Sequence, residues 1–226
     1  MKAEPQAAGV LEGILAETAT RLASRRGERP AWERRAAATR PPPDFAAALR
    51  GGASVAVIAE IKRRSPSAGA IREACDPVAL ARSYAEAGAG AVSVLTEAAH
   101  FGGSLDDLAR VAAATAVPVL RKDFIIDPLQ IYEARAVGAS AVLLIVRALS
   151  PDRLDALARL AREIGLATLV EVHGPGELAA ALRVHPTAVG VNARDLDTLA
   201  IRPELAAALL PLVPGGVVAV AESGLS

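Results

Sequence analysis

Val57-Ile58-Ala59-Glu60-Ile61-Lys62-Arg63-Arg64-Ser65-Pro66-Ser67 is the stretch on which the rest of the chain turns. The apolar run from Val55 to Ile61 contains one acid, Glu60, and Lys62 follows directly, ahead of two arginines and a Ser-Pro-Ser turn. Successive side chains of a strand alternate faces, so Glu60 and Lys62 point the same way. A surface ion pair on an edge strand would account for both charges without any function. The apolar flanks argue instead for a buried strand, and a buried strand that aims an acid and an ammonium at one spot marks a candidate site.

Downstream of Ile61 the pattern strand, loop, helix repeats. Asp76-Pro77 starts a helix that ends at Gly88, with Asp as N-cap and Pro at the first helical position, and Ala91 to Leu95 forms a second strand. Ser104-Leu105-Asp106-Asp107 opens the next helix, Val117 to Leu120 begins strand three, and Asp127-Pro128 opens a helix closed at Gly138. Strand four covers Ala141 to Val146. Ser150-Pro151 then starts a helix with Leu154, Leu157, Leu160 and Ile164 on one face. Ala167 to Val172, Ala188 to Val191 and Val217 to Ala221 complete seven strands, with helices over Pro175 to Val184 and from Pro203 between them. Short strands that are apolar throughout and alternate with helices predict a parallel sheet covered on both faces.

Two architectures fit, the closed (β/α)8 TIM barrel and the open doubly wound sheet. No Gly-x-Gly-x-x-Gly follows strand one, which counts against a dinucleotide fold. Polar residues recur where the strands end: Glu60 and Lys62, Thr96 and Glu97 with Phe101, Lys122-Asp123-Phe124, Glu171, Asn192 and Arg194, and Glu222-Ser223-Gly224. Each alone is ordinary, since a Glu at a strand end commonly caps a helix. A barrel brings all those ends to one mouth, whereas an open sheet spreads them out, so the sequence predicts a barrel.

Composition narrows the chemistry. The 226 residues suit one domain, and 52% hydrophobic residues supply a sizeable core. A formal net charge of zero argues against a nucleic-acid partner. Cys75 is the sole cysteine, so no internal disulfide forms and a reducing cytoplasm is expected. Neither a signal peptide nor a membrane span is evident. Of the 25 Lys and Arg, only Lys2, Lys62 and Lys122 are lysine, and Asn192 is the only asparagine. Coding bias or thermal adaptation explains the general skew. It also sharpens the exceptions, because Arg is effectively never deprotonated while a desolvated Lys can act as an acid or base.

The same stretches resemble the indole-3-glycerol-phosphate synthases. The resemblance is carried by Glu60 to Ser67, Leu95-Thr96-Glu97 with Phe101-Gly102-Gly103-Ser104, and Leu120 to Ile125. It continues through Ala141 to Ile145, Val170-Glu171-Val172-His173, Gly190 to Leu196 and Ala221-Glu222-Ser223-Gly224, in order and with matching spacing. It implies that an anthranilate-substituted deoxyribulose phosphate closes its ring in tryptophan biosynthesis, losing carbon dioxide and water, with no metal or organic cofactor. It further implies Lys122 as general acid in ring closure and Glu171 as base in later proton transfers. Lys62 would meet the substrate carboxylate and assist dehydration, with Glu60 holding or relaying protons. Asn192 and Arg194 would orient the substrate, Phe101 and Phe124 would sandwich its ring, Ser65, Ser223 and Gly224 would help seat the phosphate, and Glu222 would also bind substrate. Adjacent opposite charges should hold Glu60 and Glu171 ionised.

Residues 1–50 are expected to form an N-terminal helical extension packed over one end of a barrel spanning 51–226. Its apolar stripe is Val10, Leu11, Ile14, Leu15 and Leu22, a second short helix covers Pro30 to Ala38, and Asp44 caps a third that Gly51-Gly52 closes. The family pattern continues past strand seven, whereas the sequence stops at Ser226, so a C-terminally incomplete barrel with two exposed edges is expected, and with it instability or self-association. The full-length form is expected to be a monomer. Phosphoribosylanthranilate isomerase and the tryptophan synthase alpha subunit are competing phosphate-binding barrels, but the pairing of Lys62 and Lys122 with Glu60 and Glu171 argues against both. A barrel fragment that only binds phosphorylated ligands is the non-enzymatic alternative.

Overall fold

A computed structural model describes residues 9–50, 55–66, 69–72 and 74–224. Lys2, the Gly51-Gly52 helix stop, the Ser67 end of the Ser-Pro-Ser turn and the terminal Ser226 lie outside the described residues. Three helices come first: α1 (Val10–Ala23), α2 (Arg29–Ala38) and α3 (Phe45–Arg50). Strand β1 (Ile58–Ile61) follows, and then a small antiparallel hairpin of β2 (Arg64–Ser65) and β3 (Gly69–Ala70), where the sequence suggested only a turn. Alternation then sets in with α4 (Pro77–Glu86), β4 (Ala91–Leu95), α5 (Leu105–Ala114), β5 (Val119–Lys122), α6 (Pro128–Ala136) and β6 (Ala141–Ile145). It ends with α7 (Pro151–Glu163), β7 (Ala167–Val172), α8 (Pro175–Arg183), β8 (Ala188–Asn192), α9 (Glu204–Leu209) and β9 (Val218–Glu222).

The helix starts are local chemistry. Asp76, Ser104, Asp127 and Ser150 each accept a hydrogen bond from a backbone N–H in the first turn of the helix they precede, and Asp127 forms a reciprocal capping box with Gln130. Strand β5 starts two residues later than expected, after Pro118, which has no N–H to give the ladder.

Seven strands form one parallel sheet in the order β1-β4-β5-β6-β7-β8-β9. Residue parity divides the core in two. Val92, Val94, Val142, Leu144, Val170, Val172, Val189 and Val191 face the helices. Leu120, Ala141, Leu143, Ile145, Leu169 and Ala188 face the other way, into an enclosed interior. The sheet is curled, as one contact demonstrates. Lys122 on β5 lies 2.7 Å from Glu222 on β9 and 3.6 Å from Glu60 on β1. In a flat sheet β5 and β9 would stand roughly 19 Å apart at about 4.8 Å per strand. The barrel expectation therefore holds over the open sheet.

Strand β1 departs from expectation. It has one neighbour among the described residues and begins only at Ile58, with Val55 and Val57 exposed at 92% and 58%. It is an edge strand, so apolar flanks alone do not report burial, and the edge-strand ion pair exists: Lys62 Nζ donates to Glu60 Oε1 at 2.6 Å. That pair nonetheless faces the sheet's interior.

The N-terminal helices touch both ends of the curl. Phe45 is fully buried in the interior cluster, below Leu120 and Leu169, and the Arg50 side chain donates to the Gly216 carbonyl. Leu11 and Ile14 of α1 join the same cluster beside Phe124, Phe101, Ala148 and Leu196, which come from segments after strands. Helix α2 packs on α6, where Arg135 donates to the Thr39 and Arg40 carbonyls at 2.8 and 3.0 Å. No helix among the described residues is long and apolar enough to cross a membrane.

Candidate active site

Inward parity places the polar side chains. Strand β1 presents Ile58 and Glu60, with Lys62 next in register. Strand β5 presents Leu120 then Lys122, β7 Leu169 then Glu171, β8 Ala188, Gly190 then Asn192, and β9 Val218, Val220 then Glu222. In each case apolar residues fill the interior and the polar residue sits at the strand's C-terminal end.

Lys122 is the centre. Its Nζ lies 2.7 Å from Glu222, 3.6 Å from Glu60 and 3.9 Å from Glu171. Burial works against its charge, but the carboxylates of Glu222, Glu60 and Glu171 outweigh it and hold the ammonium well above the usual lysine range. Burial likewise opposes ionisation of Glu60, yet Lys122 and Lys62 bring its carboxyl below the ordinary value. At Glu171 burial is outweighed by His173 and Lys122, with Asn192 adding a hydrogen bond.

Glu222 behaves differently. Burial pushes its carboxyl up, and the attraction of Lys122 does not offset burial together with the repulsion from Glu171 and Glu60. Its Oε2 takes the Lys122 ammonium, while its Oε1 is buried without a hydrogen-bond partner among the described residues. Glu60 and Glu171 are thus shifted in the direction expected of glutamates held ionised by adjacent opposite charges, whereas Glu222 is shifted the other way. Three carboxylates around one ammonium repel one another, and at Glu222 burial and that repulsion together raise the pKa. Gly190 makes room for this group, since a Cβ there would collide with Glu222 Oε1.

The other expected residues lie around this cluster in different ways. Asn192 is buried, and its Oδ1 accepts the Arg194 N–H at 3.0 Å. The Arg194 guanidinium donates to the Leu199 carbonyl at 3.1 Å, which ties it to its own loop. Phe101 and Phe124 form one tilted pair, with centroids 6.1 Å apart and planes at 42°, rather than two parallel faces. A tilted pair at this separation lies within the range of favourable aromatic contact, and it makes them a single apolar wall. Ser65 sits half-buried on β2. Ser223 and Gly224 adopt left-handed φ of 64° and 65° as β9 ends, and a side chain at Gly224 would come 2.6 Å from Ile201. A non-glycine in that region is strained, and such strain gathers at functional sites.

Several strand-end residues that looked functional are structural. Glu97 accepts the backbone N–H groups of Ala99, His100 and Phe101 at 2.9, 2.6 and 3.0 Å, so it shapes the loop that carries Phe101. Thr96 donates to Asp123 at 2.6 Å, and both serve Arg121 on the helix-facing side. Arg63 pairs with Asp107, and Arg64 donates to the Ala99 carbonyl, so both arginines pin loops. His173 carries no role in the sequence pattern beyond the resemblance. It follows Glu171 by two residues and is buried, which the parity rule alone could have flagged. Among the described residues no group of His, Cys, Asp and Glu is arranged to hold a metal ion.

Comparison with known proteins gives a consistent result. A sequence model of the family described as "Indole-3-glycerol phosphate synthase" matches residues 11–226. A protein of that name from Parafrankia sp. is 50% identical over 216 residues, covering 96% of this chain and 80% of the relative. One from Chlorobium phaeovibrioides is 53% identical over 182 residues, covering 80% of this chain and 70% of the relative. Among solved structures, the 2-keto-3-deoxy-6-phosphogluconate aldolase of Zymomonas mobilis aligns with a TM-score of 0.55 at 14% identity, over 81% of this chain and 76% of that one. At that identity the likeness speaks to the fold alone.

Proposed function

The chain belongs to the indole-3-glycerol phosphate synthase family, and on that footing we propose how its mouth residues divide the work of the reaction. The protein is a decarboxylating lyase of tryptophan biosynthesis. It converts 1-(2-carboxyphenylamino)-1-deoxyribulose 5-phosphate to indole-3-glycerol phosphate. The electron-rich ring carbon that bears the carboxylate attacks the ketone carbon, and a carbon–carbon bond forms as the carbonyl oxygen gathers negative charge. Lys122 gives that oxygen a proton. An ammonium held this firmly is a reluctant donor, so it yields its proton to a developing alkoxide and not to bulk water. Carbon dioxide then leaves. In the last step the new hydroxyl departs as water with a proton from Lys62, while Glu171 accepts the proton lost from the ring system.

Glu60 sits between the two lysines, 2.6 Å from Lys62 and 3.6 Å from Lys122, and so can align both ammonium groups or pass a proton between them. Glu222, whose pKa is raised, supports Lys122 from the far edge. Asn192 and Arg194 orient the sugar chain, and the Phe101–Phe124 wall receives the aryl ring. Ser65 and the turn at Ser223-Gly224 contribute to the phosphate seat. Residues 1–50 act as an extension on a barrel formed by 51–226, with α1 beside the mouth and α3 at the floor. The same reading has the protein acting as a cytoplasmic monomer without a nucleic-acid partner, in keeping with its zero net charge and single cysteine.

The observation that carries this is the single ammonium of Lys122 within 3.9 Å of carboxylates from three strands. The test is Lys122→Ala and Lys122→Arg. Loss of a general acid costs about 100- to 10,000-fold in turnover. The Arg variant should recover little, because Arg does not release its proton. Near-normal turnover by Lys122→Arg overturns the assignment.

A further inference from the structure

We propose that His173 is a positioning residue for Glu171. Its imidazolium, clamped between Glu177 and Glu171, grips one oxygen of the Glu171 carboxylate from behind and leaves the other facing Lys122 and the substrate. This rests on Glu171 being the base of the reaction.

His173 is 4% exposed and follows Leu169 and Glu171 in inward parity. Its Nε2 lies 3.3 Å from Glu171 Oε1, and its Nδ1 lies 3.4 Å from Glu177 Oε2. Glu171 Oε1 and His173 Nε2 are both buried and neither makes a well-aligned hydrogen bond to any described residue, so each has the other as its charged neighbour. The opposite oxygen, Glu171 Oε2, is the one 3.9 Å from Lys122. The carboxylate is thus divided between a cation behind it and a cation in front.

A purely structural reading leaves the ring charge unused. Glu177 already closes the β7–α8 turn by accepting the His173 backbone N–H at 2.8 Å, which any residue at 173 could provide. The charged groups facing His173 are Glu171 from β7, Glu177 from α8 and Arg147 from the turn after β6. Arg147 is itself held by Glu177 at 3.0 Å and by Asp195 at 3.4 Å. Alternating charges therefore run from Lys122 through Glu171, His173, Glu177 and Arg147 to Asp195. Burial works against a charged imidazole, but Glu171 and Glu177 outweigh both burial and Arg147, and the ring's pKa rises to about 9. The same contact is the leading influence that counters burial at Glu171.

The test replaces the imidazolium with a neutral donor, His173→Gln, with His173→Asn as the second variant. The readouts are the pH profile of kcat, KM, and a ¹³C-carboxyl titration of Glu171 assigned by its loss in Glu171→Gln. In His173→Gln the acidic limb of kcat and the Glu171 titration should move up together by about one unit. That is a roughly tenfold loss of kcat below the limb, recovered above it, with KM within about twofold. A merely structural role would lower kcat equally at every pH. The inference is overturned if the Glu171 titration does not move, if the loss is uniform in pH, or if neither variant folds. Full turnover by Glu171→Gln would instead remove Glu171 from its role as base, whatever His173 does.

Discussion

Arg121 and Lys122 are neighbours on β5 and point to opposite sides of the sheet, and the two cations live in different electrostatic worlds. Arg121 faces the helices in a closed network. Its Nε donates to Thr96 at 3.1 Å, its Nη1 to the Gln130 carbonyl and Glu133 at 2.7 and 3.0 Å, and its Nη2 to Asp123 at 2.9 Å. Glu133 is fully buried and takes a second guanidinium, Arg25 from just beyond α1, at 2.7 Å. Two guanidinium groups meet two carboxylates, with Glu133 Oε1 facing Arg25 as an ion pair rather than an aligned hydrogen bond, so this side welds β5, α6 and the N-terminal helices together. Lys122 faces the mouth, where three carboxylates crowd one ammonium and one of them is pushed toward protonation. Matched geometry makes a structural ion network. Unmatched charge, left for a ligand to complete, makes a site whose protons can be moved.

The comparison breaks most sharply through substitution at the paired positions. Lys122→Met should lose about 100- to 10,000-fold in turnover. A variant that keeps its turnover would put Lys122 with the structural charges. Arg121→Met should keep turnover and cost about 3–5 kcal/mol of stability, because buried Asp123 loses its guanidinium and Glu133 keeps only Arg25. Denaturant titration measures that, and a loss below about 1 kcal/mol would mean the network is far weaker than its geometry implies.

Proton linkage sharpens the contrast. Glu222 has a raised folded-state pKa, so its contribution is present below its unfolded value and is lost as pH rises through the folded one. Glu222→Gln should therefore be more stable relative to the parent at pH about 8 than at pH about 4, and the opposite order in paired melts would contradict the assignment. His173 is raised as well. Its contribution is complete below the ordinary value of 6.5 and fades as pH rises through about 9, so His173→Gln should flatten the fall in melting temperature across that window. The smallest effect lies farthest from either cation. Asp127→Ala should cost about 1 kcal/mol through loss of the α6 cap and leave kcat unchanged, as urea titration and a turnover assay would show.

Much of this was legible beforehand. Asp76, Ser104, Asp127 and Ser150 announced their helices because a cap is a bond between near neighbours. The parity of Leu120 and Lys122, or of Leu169 and Glu171, announced which face each would take. Edges were less legible: Val55 and Val57 are apolar and exposed, because hydrophobicity does not report how many neighbours a strand has. Glu97 and Glu222 are chemically the same residue at strand ends. One turned out to bind three backbone N–H groups of its own loop, and the other reaches an ammonium four strands away.

That last difference marks the division. By itself the sequence determined the order and type of the elements, the inward set of polar residues and, by resemblance, the chemistry, because periodicity and capping act over a few residues of chain. Only the tertiary structure decided that Lys122 of β5 meets both Glu60 of β1 and Glu222 of β9, that α1 lies beside the mouth, that the Glu222 pKa is raised, and that His173 stands behind Glu171. Sheet curvature sets distances between residues as much as 100 positions apart. A side chain's protonation follows from burial and from the charges those distances bring near it, and neither is written in the spacing along the chain.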